Sequence, residues 1–366
     1  MYFKLIINSI INISDLVVNM SHRLTLDALC YRNYIPSELV AIICKYFHEE
    51  LDNKTIRDAV DMWCSKELRD NCMLRFGHIS YWDTSKVTDM SNLFVIKEMF
   101  NDNITNWDTS NVTNMCCMFE GATRFNQPLE RWNVSNVTDM NRMFSVASSF
   151  NQPLDKWNVS KVTNMVCMFT SASSFNQSLE NWDVSEVTDM SHMFWNTNSF
   201  NQSLEKWNVS NVIDMSGMFS DAPRFNQPLE KWDVSKVTDM CSMFLWASSF
   251  NQKLEEWNVS KVTDMRTMFC NAHSFNQPLE EWDVRRVTIM GAMFYNASSF
   301  NQPLEKWNVI NVTNMASMFS GASSFNQPLE KWNVNNATNM EFMFSGASSF
   351  NQNLNKWGRQ IIINKE

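Results

Sequence analysis

The chain has 366 residues, a net charge of −9, 44% apolar and 19% charged residues, and carries 26 Met, 26 Phe and 15 Trp but only 7 Gly. That apolar share builds a large core and excludes a disordered chain, while the acidic balance excludes a nucleic-acid surface, which needs a dense Lys/Arg field to displace counterions. The glycines never come close together, so neither a phosphate-cradling loop nor a dinucleotide fingerprint can be written.

In chain order, residues 1–19 form a poorly defined leader. Its apolar stretch is broken by Asn8, Ser9, Asn12 and Asp15, unlike the clean apolar run of a secretion signal, and Met20 serves equally well as a start. No run in the sequence reaches the ~18 apolar residues of a membrane span. Residues 20–75 read as a helical N-terminal cap. Pro36 opens a helix with Ile35, Leu39, Ile42, Ile43, Tyr46 and Phe47 on one face, and a second helix from about Lys54 carries Ile56, Val60 and Trp63. Such a cover is what the open end of a repeat array requires.

From 76 to 357 the unusual composition resolves into a register. Trp recurs every 25 residues from Trp82 to Trp357, and Phe does so from Phe94 to Phe344 and again from Phe100 to Phe350. The unit reads F-N-Q-P-L-E-K-W-N-V-S-x-V-T-D-M-x-x-M-F-x-x-A-S-S. One unit cannot bury its own apolar face, so neighbours must stack, and the four strands of a propeller blade do not fit in its length. The spacing predicts a leucine-rich-repeat-like, right-handed solenoid of about twelve coils, roughly 60 Å long at ~5 Å per coil. Within a coil, W-x-V has the period of a short β-strand and M-x-x-M-F-x-x-A that of a short helix. Asp or Asn before the first Met is the expected N-cap in ten of eleven coils, and Ile289 is the exception. Ile289→Asp is therefore expected to stabilise by up to ~1 kcal/mol. Residues 358–366 form a tail whose Ile361, Ile362 and Ile363 offer a last strand.

The repeat resembles that of the BspA-like leucine-rich-repeat surface proteins of bacteria, protists and large viruses. The string F-N-x-P-L-x-x-W-[ND]-V-S-x-V-T-[DN]-M-x-x-M-F carries the likeness over about 280 of the 366 residues. Ala59 to Cys64 followed by Gly77 to Asp83 is similar to the leader of such repeats. The resemblance implies a curved solenoid used for adhesion or protein binding, without catalysis. Separately, Ile35-Pro36-Ser37-Glu38-Leu39-Val40-Ala41-Ile42-Ile43 resembles the first helix of an F-box. That likeness implies a ubiquitin-ligase adaptor, with Ile35, Pro36, Leu39, Ile42 and Ile43 contacting a Skp-like linker subunit.

Chemistry-bearing residues form no catalytic, cofactor or metal pattern. The nine Cys are odd in number and lack metal-type spacing, which favours a reducing compartment over secretion; Cys64 and Cys72 are the one pair at a bridgeable spacing. The five His fall in different columns, so no triad is expected and the chain reads as a non-enzyme. Stacking lines up an Asn column (Asn126 to Asn351) and a Thr column, both read as internal turn hydrogen bonding. It also lines up an acidic column, offset by an adjacent Lys column except at Glu255, Glu256, Glu280 and Glu281. Those four carboxylates are either a weak divalent-cation or basic-partner patch or a solvated face. Trp195, Trp246, Tyr295 and Phe342 stand off the core columns, as interface anchors or as fillers of local gaps. The expected function is an interaction or adhesion scaffold for a protein partner, the alternative being the F-box-type adaptor.

Overall fold

A computed structural model describes residues 48–357. Regular elements are few: helices α1 (Thr55–Cys64) and α2 (Arg69–Phe76), and 3-10 turns at Ile79–Tyr81 and Asn355–Trp357. Asp52 accepts the N–H groups of Lys54 and Thr55 while its own N–H donates to the Thr55 hydroxyl, and this reciprocal pair fixes the start of α1. Helix α1 buries Ile56, Ala59, Val60 and Trp63, the face expected from the sequence.

Beyond Trp82 the chain is a stack of 25-residue turns. Adjacent coils meet in one single-residue parallel bridge each, from Asp89 with Asn114 through Asn314 with Asn339. This corrects the expected strand-plus-helix, leucine-rich-repeat-like coil, since among the described residues no coil contains a strand or a helix.

The cause lies in the backbone at two positions per coil. Arg142 and Val146 have φ of 52° and 59°, and their equivalents recur along the stack, as in His192 (57°) and Asn196 (55°) or Ser242 (58°) and Trp246 (59°). A left-handed residue every fourth position cannot join an α-helical ladder. N–H groups then alternate between two destinations. Those of Met143, Ser145 and Ala147 close local turns onto Met140, Arg142 and Phe144 carbonyls at 3.0–3.1 Å. Those of Met140, Arg142, Phe144 and Val146 donate to Asn164, Val166, Met168 and Thr170 of the next coil at 2.7–3.1 Å. The apolar spacing of 3, 1 and 3 survives because two consecutive three-residue turns also place Met, Met, Phe and Ala on one side. The W-x-V segment is likewise turned, Trp132 N–H reaching Leu129 O at 3.0 Å and Val137 N–H reaching Val134 O at 2.9 Å.

The repeated columns are the core. Each column Trp is buried yet satisfied, its indole N–H from Trp107 onward donating to a carbonyl 28 residues back, as from Trp207 to Leu179 at 2.9 Å and Trp232 to Leu204 at 3.0 Å. Rings of successive coils are nearly parallel, so their separations track the coil spacing. Successive rings stand 5.6 Å apart at Phe144–Phe169, 6.1 Å at Phe150–Phe175 and 6.5 Å at Trp157–Trp182.

The helical cap expected over 20–75 is not shown as such, for the Pro36 helix lies outside the described residues and α1 and α2 are short. Side chains instead complete the first rung. Asn53 Oδ1 accepts the N–H groups of Thr88 and Asp89 at 2.8 and 3.1 Å, replacing the Thr carbonyl that a preceding coil supplies elsewhere. The Arg57 guanidinium donates to Ser91 O and pairs with Asp89 at 3.1 Å. The Ile361–Ile363 strand also falls outside the described residues.

Candidate interaction surface

Coils are numbered 1 to 11 along the Phe94 to Phe344 column. In most coils the buried Met, Met, Phe and Ala alternate with outward positions, two between the Met residues and two after the Phe; Leu93 and Lys97 replace the second Met and the Ala in coil 1, and Thr197 replaces the Ala in coil 5. The inter-coil bonds join these outward positions of successive coils into a continuous surface beside the bridged ladder.

The large apolar side chains exposed at these positions are Ile96, Val146, Trp195, Trp246, Tyr295 and Phe342, beside the exposed Arg142 and Arg266. The six apolar ones stand in coils 1, 3, 5, 7, 9 and 11, one in every second coil. The intervening coils carry Gly121, Thr170 and Ser171, Ser220 and Asp221, Cys270 and Asn271, and Ser320 and Gly321 there. The four aromatics expected from the sequence stand at three different outward positions of their coils, Trp195 and Tyr295 one residue after the column Phe, Trp246 two after it and Phe342 between the Met residues, and they are not fillers of closed gaps: Trp246 is 49% and Phe342 51% exposed. Ile96 and Val146 were missed by the sequence reading; their signal was an apolar residue two positions after the column Phe, the position Trp246 also holds.

Four of the six occupy left-handed backbone, namely Ile96 (57°), Val146 (59°), Trp246 (59°) and Phe342 (56°). Such a conformation costs a side-chain-bearing residue about 1 kcal/mol, and at the position of Ile96, Val146 and Trp246 most other coils use Gly, Asn or Asp. The same φ recurs at these two positions in every coil, in polar residues such as Cys117, Ser171, His192 and Thr267 as well. The indoles are also held in place: Trp195 Nε1 donates to Asp221 at 3.1 Å and stands edge-on to His192 at 5.7 Å, while Trp246 meets His273 edge-on at 6.4 Å.

The acidic column lies in the Leu-Glu-Lys-Trp segment, away from this row in each coil. Its charges pair across coils, not within them: Lys206 with Glu180 at 3.4 Å, Lys231 with Glu205 at 2.7 Å, Lys331 with Glu305 at 3.3 Å and Lys356 with Glu330 at 3.1 Å. Glu256 and Glu281 stand where that Lys would be. Lys306 reaches both Glu280 (3.6 Å) and Glu281 (2.5 Å), whereas Glu255 and Glu256 form no ion pair among the described residues. No group of His, Cys, Asp and Glu among the described residues is arranged to hold a metal ion.

Cysteine chemistry is muted. Burial pushes the thiols of Cys64 and Cys270 up to about 11 and that of Cys72 up to about 12, so they stay protonated and weakly nucleophilic at neutral pH. Cys64 and Cys72 are free thiols, and Cys72 donates to the Ala59 carbonyl. A cleft of about 390 Å³ between α1 and coil 1 is lined by Trp63, Cys64, Arg69, Ile96, Met99 and others. Arg69 fills part of it, stacked over Trp63 at 4.4 Å and paired with Asp102 at 2.8 Å. Residues Ile35, Pro36, Leu39, Ile42 and Ile43 lie outside the described residues. No described helix is long and apolar enough to cross a membrane.

A stack of near-identical coils with one decorated face defines a tandem-repeat protein. The chain belongs to the family described as Mycoplasma protein of unknown function, DUF285, whose model matches residues 64–182, 168–282 and 271–365. Three overlapping tandem matches are what a register of equivalent coils produces. No curated protein matches the chain.

Proposed function

We infer that the protein is a non-catalytic scaffold that binds another macromolecule, most readily a protein, along the face of its coil stack that carries the exposed apolar side chains. The observation that carries this reading is the row of exposed apolar side chains, four of them kept in left-handed backbone that relaxes when Gly, Asn or Asp replaces them. Exposed aromatics in a preformed array are the usual anchors of protein interfaces, and the pinned indoles of Trp195 and Trp246 lose little freedom on binding. Resemblance of the repeat to the BspA-like surface proteins supports adhesion or docking over catalysis.

The test is capture by the full chain and by a variant carrying Trp195→Ser, Trp246→Ser and Tyr295→Ser. The variant is expected to melt within a few degrees of the parent, because the columns are untouched, and to lose the captured partners. Equal capture by both proteins would remove this face from the function. A collapsed melt would show that the three aromatics support the core.

A further inference from the structure

The inference goes beyond the interaction reading above and does not depend on it. Unlike Cys72 and Cys270, which are buried, Cys116 and Cys117 are both partly exposed; they lie between the two Met residues of coil 2. Adjacent cysteines are too close along the chain for an ordinary bridge, so sequence spacing points to Cys64 and Cys72 instead. In a β-strand two adjacent side chains would also point to opposite faces. Here the turn at left-handed Cys117 (φ 56°) leaves both on one side, and their sulfurs stand 3.4 Å apart. Closing an S–S bond of ~2.05 Å brings them about 1.4 Å nearer.

Such a bond is reversible, and it is felt beyond the ring. Adjacent Cα atoms are about 3.8 Å apart across a trans peptide, short of the ~4.4 Å at which disulfides usually begin. A bond closed there is strained, and strained, exposed disulfides are the ones that reducing thiols reopen. The peptide group inside the ring is also the rung that ties coil 2 to both of its neighbours. Its carbonyl, on Cys116, accepts the Asn92 N–H of coil 1 at 2.9 Å, and its N–H, on Cys117, donates to the Asn141 carbonyl of coil 3 at 2.8 Å. Drawing the sulfurs together turns that peptide away from its partners, so oxidation loosens the outward surface at this rung.

We propose that Cys116 and Cys117 are a two-electron redox site, closing to a vicinal disulfide in the presence of a hydroperoxide and reopening to the dithiol with a thiol reductant. Burial raises both thiols above their usual range, and the hydrogen bond between the sulfurs lowers Cys116 while raising Cys117. Cys116 therefore attacks first. Its thiolate takes one peroxide oxygen as the O–O bond breaks, giving a sulfenic acid, and the other oxygen leaves as an alkoxide that picks up the Cys116 proton. The Cys117 sulfur then attacks the Cys116 sulfur and expels hydroxide, which leaves as water with the Cys117 proton. The two thiols lose two electrons, and one hydroperoxide is reduced to an alcohol and water.

The test treats the full chain with millimolar hydrogen peroxide, then denatures it, alkylates it with iodoacetamide and digests it with trypsin. Both cysteines fall in one tryptic peptide, residues 98–124, which holds no other cysteine. This peptide is expected to be lighter by two hydrogens and to refuse the alkylating agent, and dithiothreitol is expected to restore both thiols. Cys167 and Cys241, partly exposed but without an adjacent cysteine, are expected to stay open to alkylation. Amide exchange at Asn92 and Cys117 is expected to run at least about tenfold faster in the oxidised chain than in the reduced one. Cys117→Ser matches Ser242 and Ser317, which hold the same left-handed position, and in it Cys116 is expected to stop at a sulfenic acid that dimedone traps. Alkylation of both cysteines after the treatment would overturn the proposal, as would a gain of oxygen on the peptide without the loss of two hydrogens, or a bond to a second chain in place of the internal one. Unchanged exchange around a closed ring would overturn its effect on the rung and leave the redox site standing.

Discussion

Asp239 lies on the bridged ladder between Asp214 and Asp264, and its carboxyl is held above the usual carboxylate range, first by burial and then by those two neighbouring carboxylates. Cys241 N–H donates to it at 2.8 Å and the nearby Arg266 pairs with Asp264 at 2.8 Å, which offsets the rise in part. A folded-state pKa above the unfolded one favours the protonated form, so this group supports folding below the unfolded pKa and loses that contribution as pH rises through the folded pKa. At neutral pH it therefore opposes folding. Asp239→Asn keeps the acceptor for Cys241, as Asn114 does for Cys116, and is expected to raise neutral-pH stability by about 0.3–0.5 kcal/mol, the scale of a partly solvated charge interaction. Chemical denaturation at pH 7 and pH 3.5 checks it, the gain vanishing at the lower pH.

Ile289 is read differently from the sequence alone. There is no helix for it to cap, but the ladder Asp and Asn residues do accept the N–H two residues on, as Asp264 does from Arg266 at 2.9 Å and Asn314 from Ala316 at 3.0 Å. Ile289 offers Gly291 no such acceptor. Because Asp264 occupies the preceding rung, a second carboxylate at 289 would add repulsion, and Asn is the better replacement. Ile289→Asn should raise the denaturant midpoint by the equivalent of about 0.5 kcal/mol, the lower range of a net hydrogen bond. A lowered midpoint would show that the packing of Ile289 outweighs the bond.

At the scale of the coil, the buried columns were legible because burial demands an apolar residue at the same place every time. The backbone was not. The left-handed positions hold Arg142, His192, Thr267 and Phe342 between the Met residues, and Ile96, Val146 and Trp246 among Gly, Asn and Asp after the Phe. A composition so mixed hides the turn that defines it, and the apolar spacing fits a helix equally well. The Asn column was misread in a similar way. Its amide oxygens do not close their own turns; each accepts the backbone N–H of the next Asn and the side-chain N–H of the next Gln, as Asn176 does from Asn201 at 2.9 Å and Gln202 at 3.1 Å. The bond is between coils, where a single repeat read in isolation has no partner to offer.

Cross-coil pairing also tells which charge is misplaced. Glu256 faces the Glu230 rung where other coils bring a Lys, so Glu256→Lys restores the pattern of Lys231 with Glu205. A gain of a few tenths of a kcal/mol is expected at low ionic strength, and it should vanish in about 1 M salt, where screening is nearly complete. Melting in both conditions checks this; a gain that persists in high salt would point to packing instead.

At the scale of the molecule, stacking was legible, because a 25-residue unit that cannot bury its own apolar face must pack on its neighbours. Four of the six exposed apolar side chains were legible as well. Trp195, Trp246, Tyr295 and Phe342 announce themselves as aromatics off the columns, but that they share one side with Ile96 and Val146 depends on where the ladder faces. The exposed row itself was set apart from the acidic residues only by the fold.

The alternation of that row constrains how the protein can change in length. Because every coil offers its neighbours the same bonds, unequal recombination can remove or add one unit and still leave a continuous stack. Loss of a single even-numbered unit, however, brings two anchor-bearing coils together and halves the interval between them, and loss of an odd-numbered one stretches it to three coils. Loss or gain of two units leaves both the stack and the interval intact. Descendants that keep the face in use should therefore differ in length by fifty residues at a time, although the structural repeat is half as long.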